Sequence, residues 1–341
     1  MAELVLLIPV LLCLRGLRLT RQVSADGLSR DGTDALRGVL VLGILFVHIA
    51  QFVPGGKIFD FVQKLGYLVV AGFFFLTGFS LQTQHMTRKD YAKGFLRKRF
   101  LAVLLPYLAV TALYWSYYNL LGRGYGILDI LRLFAQGKPV VSFSWYIPAV
   151  LTFYLAFWAL MKMCKQSYPT MVLGGAVWFA VYSGLCMLLK FDSIWYISAF
   201  PAVMGMAWAT HRQTIENYLK KHYFAVLFPV LAAFIGMMVL EAQVHGGALD
   251  ALLKGLGASL FVTGLVLLLY RLRLDNGALR VLGRMSMEIY LMQGLALMVL
   301  RSRWIYIEGP LLYGLLTAVL TVVFAAVVHI AFKGIPKKPT P

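Results

Sequence analysis

The stretch DALRGVLVLGILFVHIAQFV, residues 34–53, pairs an acid with a base in its first turn and then runs apolar, broken only by His48 and Gln51. Wound as a helix, 35–53 rises roughly 28 Å, close to the ~30 Å of a bilayer's hydrocarbon core. The whole chain points the same way. Its 341 residues are 60% hydrophobic and 13% charged, with a mean hydropathy of +0.77, whereas soluble domains carry roughly 25% charged residues. A water-soluble globule of this composition would lack the polar side chains to cover its surface, a need that a bilayer removes. The chain is read as an integral membrane protein.

Segments near that length recur at 61–83, 100–118, 140–160, 170–189, 194–210, 223–240, 251–269, 285–300 and 309–332. With 35–53 they predict an all-α, polytopic fold of about ten transmembrane helices. Only Lys190-Phe191-Asp192-Ser193 separates the fifth from the sixth. Basic loops stay on the cytoplasmic side, and the alternate segments 15–37, 84–99, 161–169, 211–222, 270–284 and 333–341 hold 23 of the 32 Lys and Arg, leaving 9 elsewhere. That division puts both termini in the cytoplasm. The net charge of +18 is therefore first a topology signal and second a surface for anionic headgroups or an anionic cytosolic ligand, with no nucleic-acid partner expected.

Residues 1–30 are expected to form an N-terminal interfacial segment, with a short helix on the inner leaflet and Arg15, Arg18 and Arg21 among the headgroups; an eleventh span is the alternative. The division continues with a ten-helix domain at 31–332 and a cytoplasmic tail at 333–341. No cleavable signal is expected, because no basic segment precedes the apolar residues 4–14. The outer loop at about 119–139 is Gly-rich and expected to fold back onto the helices. Cys13, Cys164 and Cys186 lie far apart in apolar runs, so they offer neither a disulfide framework nor a metal site.

An ionisable group in the hydrocarbon costs about 2.5–3.5 kcal/mol on insertion scales, so each one needs a reason. Glu288 has one in Arg284, four residues earlier, as an intrahelical ion pair. His329 is expected to reach the inner interface beside Lys333. His48 has only Gln51 as a local polar partner, and it is either a histidine bonded to another helix or a functional group. Eleven residues return a helix almost to the same azimuth, so Arg37 and His48 share one stripe about 16 Å apart. If that stripe lines a channel, a long anionic cofactor can leave phosphates at Arg37 and present its reactive end to His48.

Asp34-Ala35-Leu36-Arg37-Gly38 and the run to His48 resemble the opening signature of acyltransferase family 3, in which Arg, ten residues and His start the first span. Phe73-Phe74-Phe75-Leu76-Thr77-Gly78-Phe79 resembles the family's second-span stretch, with Thr77 in a Ser place. Lys98-Arg99 with Pro106-Tyr107 resembles the basic entry to the third span, and Trp145-Tyr146 the aromatic pair opening the fourth. Leu282-Gly283-Arg284 with Ser286, Ile289, Tyr290 and Leu291 resembles the start of the ninth. The resemblance covers roughly 30–332. It departs in three places: Ala102 and Val103 stand where a second Arg is often found, Gln293 stands where many members have His, and no extracytoplasmic esterase-type domain follows Pro341.

The resemblance implies an O-acyltransferase of the cell envelope, in a bacterial cytoplasmic membrane, moving an acyl group, acetyl in the first instance, from acyl-CoA to a glycan, polysaccharide or glycolipid. No metal is implied, and a two-step relay would need a separate extracytoplasmic transferase. His48 is then the base or a transient acyl carrier, and Arg37 grips donor phosphates or orients the thioester, with Asp34 fixing that side chain or capping the helix. Arg97, Lys98 and Arg99 belong to the densest basic patch, which serves headgroups and topology or a coenzyme A phosphate. Phe74, Trp145 and Tyr146 are packing residues or sugar-stacking walls. A transporter or flippase without covalent chemistry is the competing class, although no second copy of the Arg37–His48 stripe is present.

Overall fold

Ser29 accepts a hydrogen bond from the Gly32 amide (3.3 Å) and so caps the helix that the apolar run beyond Ala35 demands. The fold was obtained as a computed structural model that describes residues 2–53, 56–136, 138–164 and 167–333; the expected tail falls almost wholly outside them. In chain order the α-helices are α1 (Leu7–Leu14), α2 (Arg30–Phe52), α3 (Lys57–Lys64), α4 (Gly66–Thr87), α5 (Phe95–Leu120), α6 (Ile127–Ala135) and α7 (Tyr146–Met163). They continue with α8 (Tyr168–Leu188), α9 (Pro201–Thr210), α10 (Arg212–Glu241), α11 (Gly247–Leu269), α12 (Gly277–Arg284), α13 (Ser286–Val299) and α14 (Pro310–Lys333). The protein is an all-α polytopic membrane protein. A short antiparallel ribbon, β1 (Leu17–Leu19) with β2 (Leu272–Leu274), is the exception, in the register Leu17↔Leu274.

Each of the ten predicted segments falls on a helix, and among the described residues eight helices are long and apolar enough to cross a membrane. The sixth and ninth segments fall short: α9 has 10 residues and α13 has 14, roughly 15 and 21 Å. Pro201 starts α9 late, and the residues before it, Ile197, Ser198 and Ala199, are buried in protein. Their non-helical backbone is tolerated at depth because it meets no lipid; Ser198 Oγ donates to the Tyr67 carbonyl at 2.8 Å. The outer loop also differs from expectation, because its centre is the helix α6, with Ile127, Leu128 and Leu131 exposed along one side.

Two close helix contacts fix the inner bundle. A Cβ on Gly38 would lie 2.1 Å from the Leu279 carbonyl oxygen and one on Gly283 1.8 Å from that of Asp34, so α12 presses its backbone directly onto α2. Gly78 and Gly205 do the same between α4 and α9, with the Gly78 Cβ falling 1.8 Å from the Ala202 oxygen. Small residues permit such approaches, which drive association where no hydrophobic effect acts between helices.

The N-terminal segment is tied to the bundle at both ends. Glu3 Oε1 accepts from the Ile58 amide (3.0 Å), just past the far end of α2, and Val5 is fully buried with Ile49 and Tyr313. At its other end Asn276 Nδ2 donates to the Leu12 and Arg15 carbonyls, both at 2.8 Å, and β1 joins β2. Residues 2–14 thus pack against α2 and α14, turning Leu4, Leu7 and Leu11 outward, and their helix is too short to be among the eight long enough to cross a membrane.

Candidate functional site

Thr77, Ser80 and Gln84 on α4 stand at helical spacing, so they form one polar stripe. That stripe faces Arg37 and Arg99. Arg37 Nη1 meets Asp34 Oδ1 at 2.9 Å and its Nη2 donates to Ser80 Oγ at 3.3 Å; Arg99 Nη2 donates to Tyr91 Oη (2.7 Å) and Gln84 Oε1 (3.3 Å). Between them α2, α4, α5, α7 and α13 enclose a cavity of about 190 Å³. Its basic end is formed by Arg37, Ser80, Arg99 and Ser286, and its far end by Ile44, Phe73, Tyr146 and Tyr290. Two guanidiniums facing one carboxylate leave that basic end with an excess of positive charge, suited to an anion.

Arg37, Ile44 and His48 follow one another along α2, but only the first two line the cavity. His48 lies one turn further on, 6% exposed, inside the protein and away from lipid. Its ring stacks on Phe143, with centroids 3.8 Å apart and planes at 12°, and the Gln293 carboxamide faces it. Gln51, the local partner available in the sequence, is exposed. His48 Nδ1 and Gln293 Oε1 are both buried with no other hydrogen-bond partner among the described residues, so the carboxamide is the polar group facing the imidazole.

Residues 30–330 match the family of the acyltransferase domain Acyl_transf_3. The chain belongs to the acyltransferase 3 family. No curated protein and no solved structure matches it. Membership makes this protein a multi-pass membrane acyltransferase.

The acyltransferase brings together part of what its sequence singled out. Arg37, Arg99 and Tyr146 line the cavity. Arg97 and Lys98 are exposed beside Arg99 on α5 and do not enter it. Phe74 is fully buried behind the wall, edge-on to Tyr146 at 4.9 Å, and Trp145 turns toward Trp195 at 6.3 Å, so both pack rather than line the cavity. The expected Arg284–Glu288 pair does not form. Met285 ends the helical path between α12 and α13, leaving Arg284 exposed, and Glu288 Oε1 lies 2.8 Å from His329 Nδ1 instead. His329 therefore finds its partner on a neighbouring helix of the acyltransferase, where the pair is partly buried.

Ser80, Tyr154 and Phe143 are among the site residues absent from the sequence reading. The Thr77/Ser80/Gln84 stripe carried a signal for the first. Tyr154 falls two turns after Tyr146 on the same helix, a weaker one. For Phe143, 95 positions from the histidine it covers, a single sequence offers none.

Proposed function

We propose that the protein transfers an acyl group, acetyl in the first instance, from cytosolic acyl-CoA to a hydroxyl of an envelope glycan, polysaccharide or lipid-linked sugar. One observation carries this reading: two guanidiniums close one end of a cavity whose other end approaches a buried imidazole on the same helix stripe. The cavity's 190 Å³ is below the ~300 Å³ at which sites enclose whole drug-sized ligands. It takes the acyl-thioester end and leaves the nucleotide outside, where exposed Arg97 and Lys98 stand.

The chemistry follows from these positions. Arg37, held by Asp34 and Ser80, and Arg99, held by Gln84 and Tyr91, grip the donor's phosphates without reorganising. His48 takes the proton of the acceptor hydroxyl, whose oxygen attacks the thioester carbonyl; the carbon–sulfur bond breaks and the proton passes to the departing thiolate. Transfer through an acyl-His48 intermediate uses the same groups in two steps. Tyr146 Oη, 3.4 Å from Thr77 Oγ1, is the hydroxyl at the far end able to donate to the oxyanion.

The reconstituted protein, given acetyl-CoA labelled in the acetyl group and an extract of envelope glycolipids, is expected to release free thiol and form a labelled ester together. Movement of label across the membrane with no thiol released would instead identify a transporter. Arg37→Lys is expected to raise the KM for the donor about tenfold with a smaller change in kcat, since an ammonium keeps the charge but loses the planar fork.

A further inference from the structure

Phe143 has a φ of +66°, a left-handed conformation that bulky side chains avoid and that persists only where the surroundings over-determine it. The surroundings here are specific. Tyr290 Oη donates to the Phe143 carbonyl. Next to it Ser144 Oγ, fully buried, lies 3.3 Å from Tyr107 Oη. Val140 and Val141 are buried as well, so the connection from α6 to α7 dips into the bundle. The outcome of this strain is one contact, the ring laid flat over His48 at 3.8 Å. Tyr290, which pins the strained residue, also lines the cavity.

An acyltransferase with an open base beside a thioester hydrolyses its donor, because water is the commonest hydroxyl available. We propose, building on the acyl-transfer function above, that Phe143 sets the choice between acceptor and water by packing on one face of the His48 imidazole and narrowing the approach to its in-plane nitrogens until the acceptor displaces it. In either outcome the acyl carbon–sulfur bond breaks, a carbon–oxygen bond forms, and the O–H proton travels through His48 to the thiolate; the oxygen is the acceptor's or water's. The stacked ring comes from the connection between α6 and α7, and Tyr290 ties that connection to the cavity wall.

Phe143→Gly tests this in the full-length, reconstituted protein, since glycine adopts φ +66° without strain and the backbone keeps its place. Two readouts are taken. The first is the rate at which diethyl pyrocarbonate modifies His48, followed by peptide mass spectrometry with exposed His211 as reference. The second is thiol release from acetyl-CoA without acceptor. Phe143→Gly is expected to speed His48 modification at least tenfold and acceptor-free release about tenfold, lowering ester formed per thioester consumed, with Phe143→Tyr restoring wild-type values. Equal His48 modification in wild type and Phe143→Gly overturns the cover, whatever the activity. Faster modification with an unchanged hydrolysis-to-transfer ratio overturns its role in selectivity. A wild type that neither releases thiol nor forms ester refutes the acyl-transfer function itself, while the modification arm still judges the cover.

Discussion

Replacing His48 with alanine is expected to lower acyl transfer by about 10²- to 10⁴-fold, the range general-base catalysis contributes, while the protein stays folded. The two halves of this expectation have different origins. A histidine kept only to bridge helices would be satisfied at both nitrogens, and its loss would cost stability by stranding a buried partner. His48 has no charged partner among the described residues; its ring stacks on Phe143, and the one polar side chain facing it is the Gln293 carboxamide. Truncation therefore removes packing against one aromatic ring and the imidazole that the buried Gln293 carboxamide faces, a loss of about 1–3 kcal/mol that a protein of this size survives. Single-turnover measurements should show the chemical step slowed and the donor KM nearly unchanged, because Arg37 and Arg99 lie at the opposite end of the cavity. A His48→Ala protein that acylates at the wild-type rate would remove the imidazole from the reaction; one that unfolds would assign it to structure.

The second large effect is on folding. Gly283→Ala places a methyl carbon 1.8 Å from the Asp34 carbonyl oxygen and 2.9 Å from the Gly38 nitrogen, and neither atom can swing aside as a side chain would. The helices must separate, at a cost of about 3 kcal/mol or more, which corresponds to a fall in Tm on the order of 10 °C. Gly184→Ala is the matched control. A Cβ there meets nothing within 4 Å, so the change is expected to be neutral or to stabilise by up to ~1 kcal/mol through helix propensity. Equal thermal stability for the two variants would refute the close backbone contact. Because α12 presses on the turn that carries Asp34 and Arg37, a folded Gly283→Ala protein should also lose donor affinity.

Periodicity made the first half of the site readable before any coordinates. The return of the helix after eleven residues placed Arg37 and His48 on one stripe, and Ile44, between them, does line the cavity. The motif glycines were legible as positions but not as contacts: Gly38, Gly78 and Gly283 act through backbone oxygens on other helices, which no local pattern encodes. The pairing of Glu288 was misassigned for a related reason. Arg284 is a helical neighbour only if the helix continues, and the break at Met285 gave Glu288 to His329, 41 residues away. Each of the ten segments that hydropathy marked falls on a helix, and eight helices among the described residues are long enough to cross a membrane; α9 and α13 are shorter than expected, because a window of apolar residues does not distinguish lipid-facing helix from buried coil. Phe143 needed the fold itself, since its role depends on a left-handed backbone and a partner on another element.

The glycine contacts distribute stiffness unevenly around the chamber. The sides built from α2 and α4 are each bolted, backbone to backbone, to a further helix, whereas the sides built from α5 and α7 meet their neighbours through aromatic and branched side chains such as Phe95, Phe153 and Phe157. Two walls are rigid and two can be recut. A lineage adapting this scaffold to a bulkier acyl substituent would find its room at Val103, Ile147 and Val150, trimming the compliant flank and leaving the arginine clamp and the imidazole undisturbed.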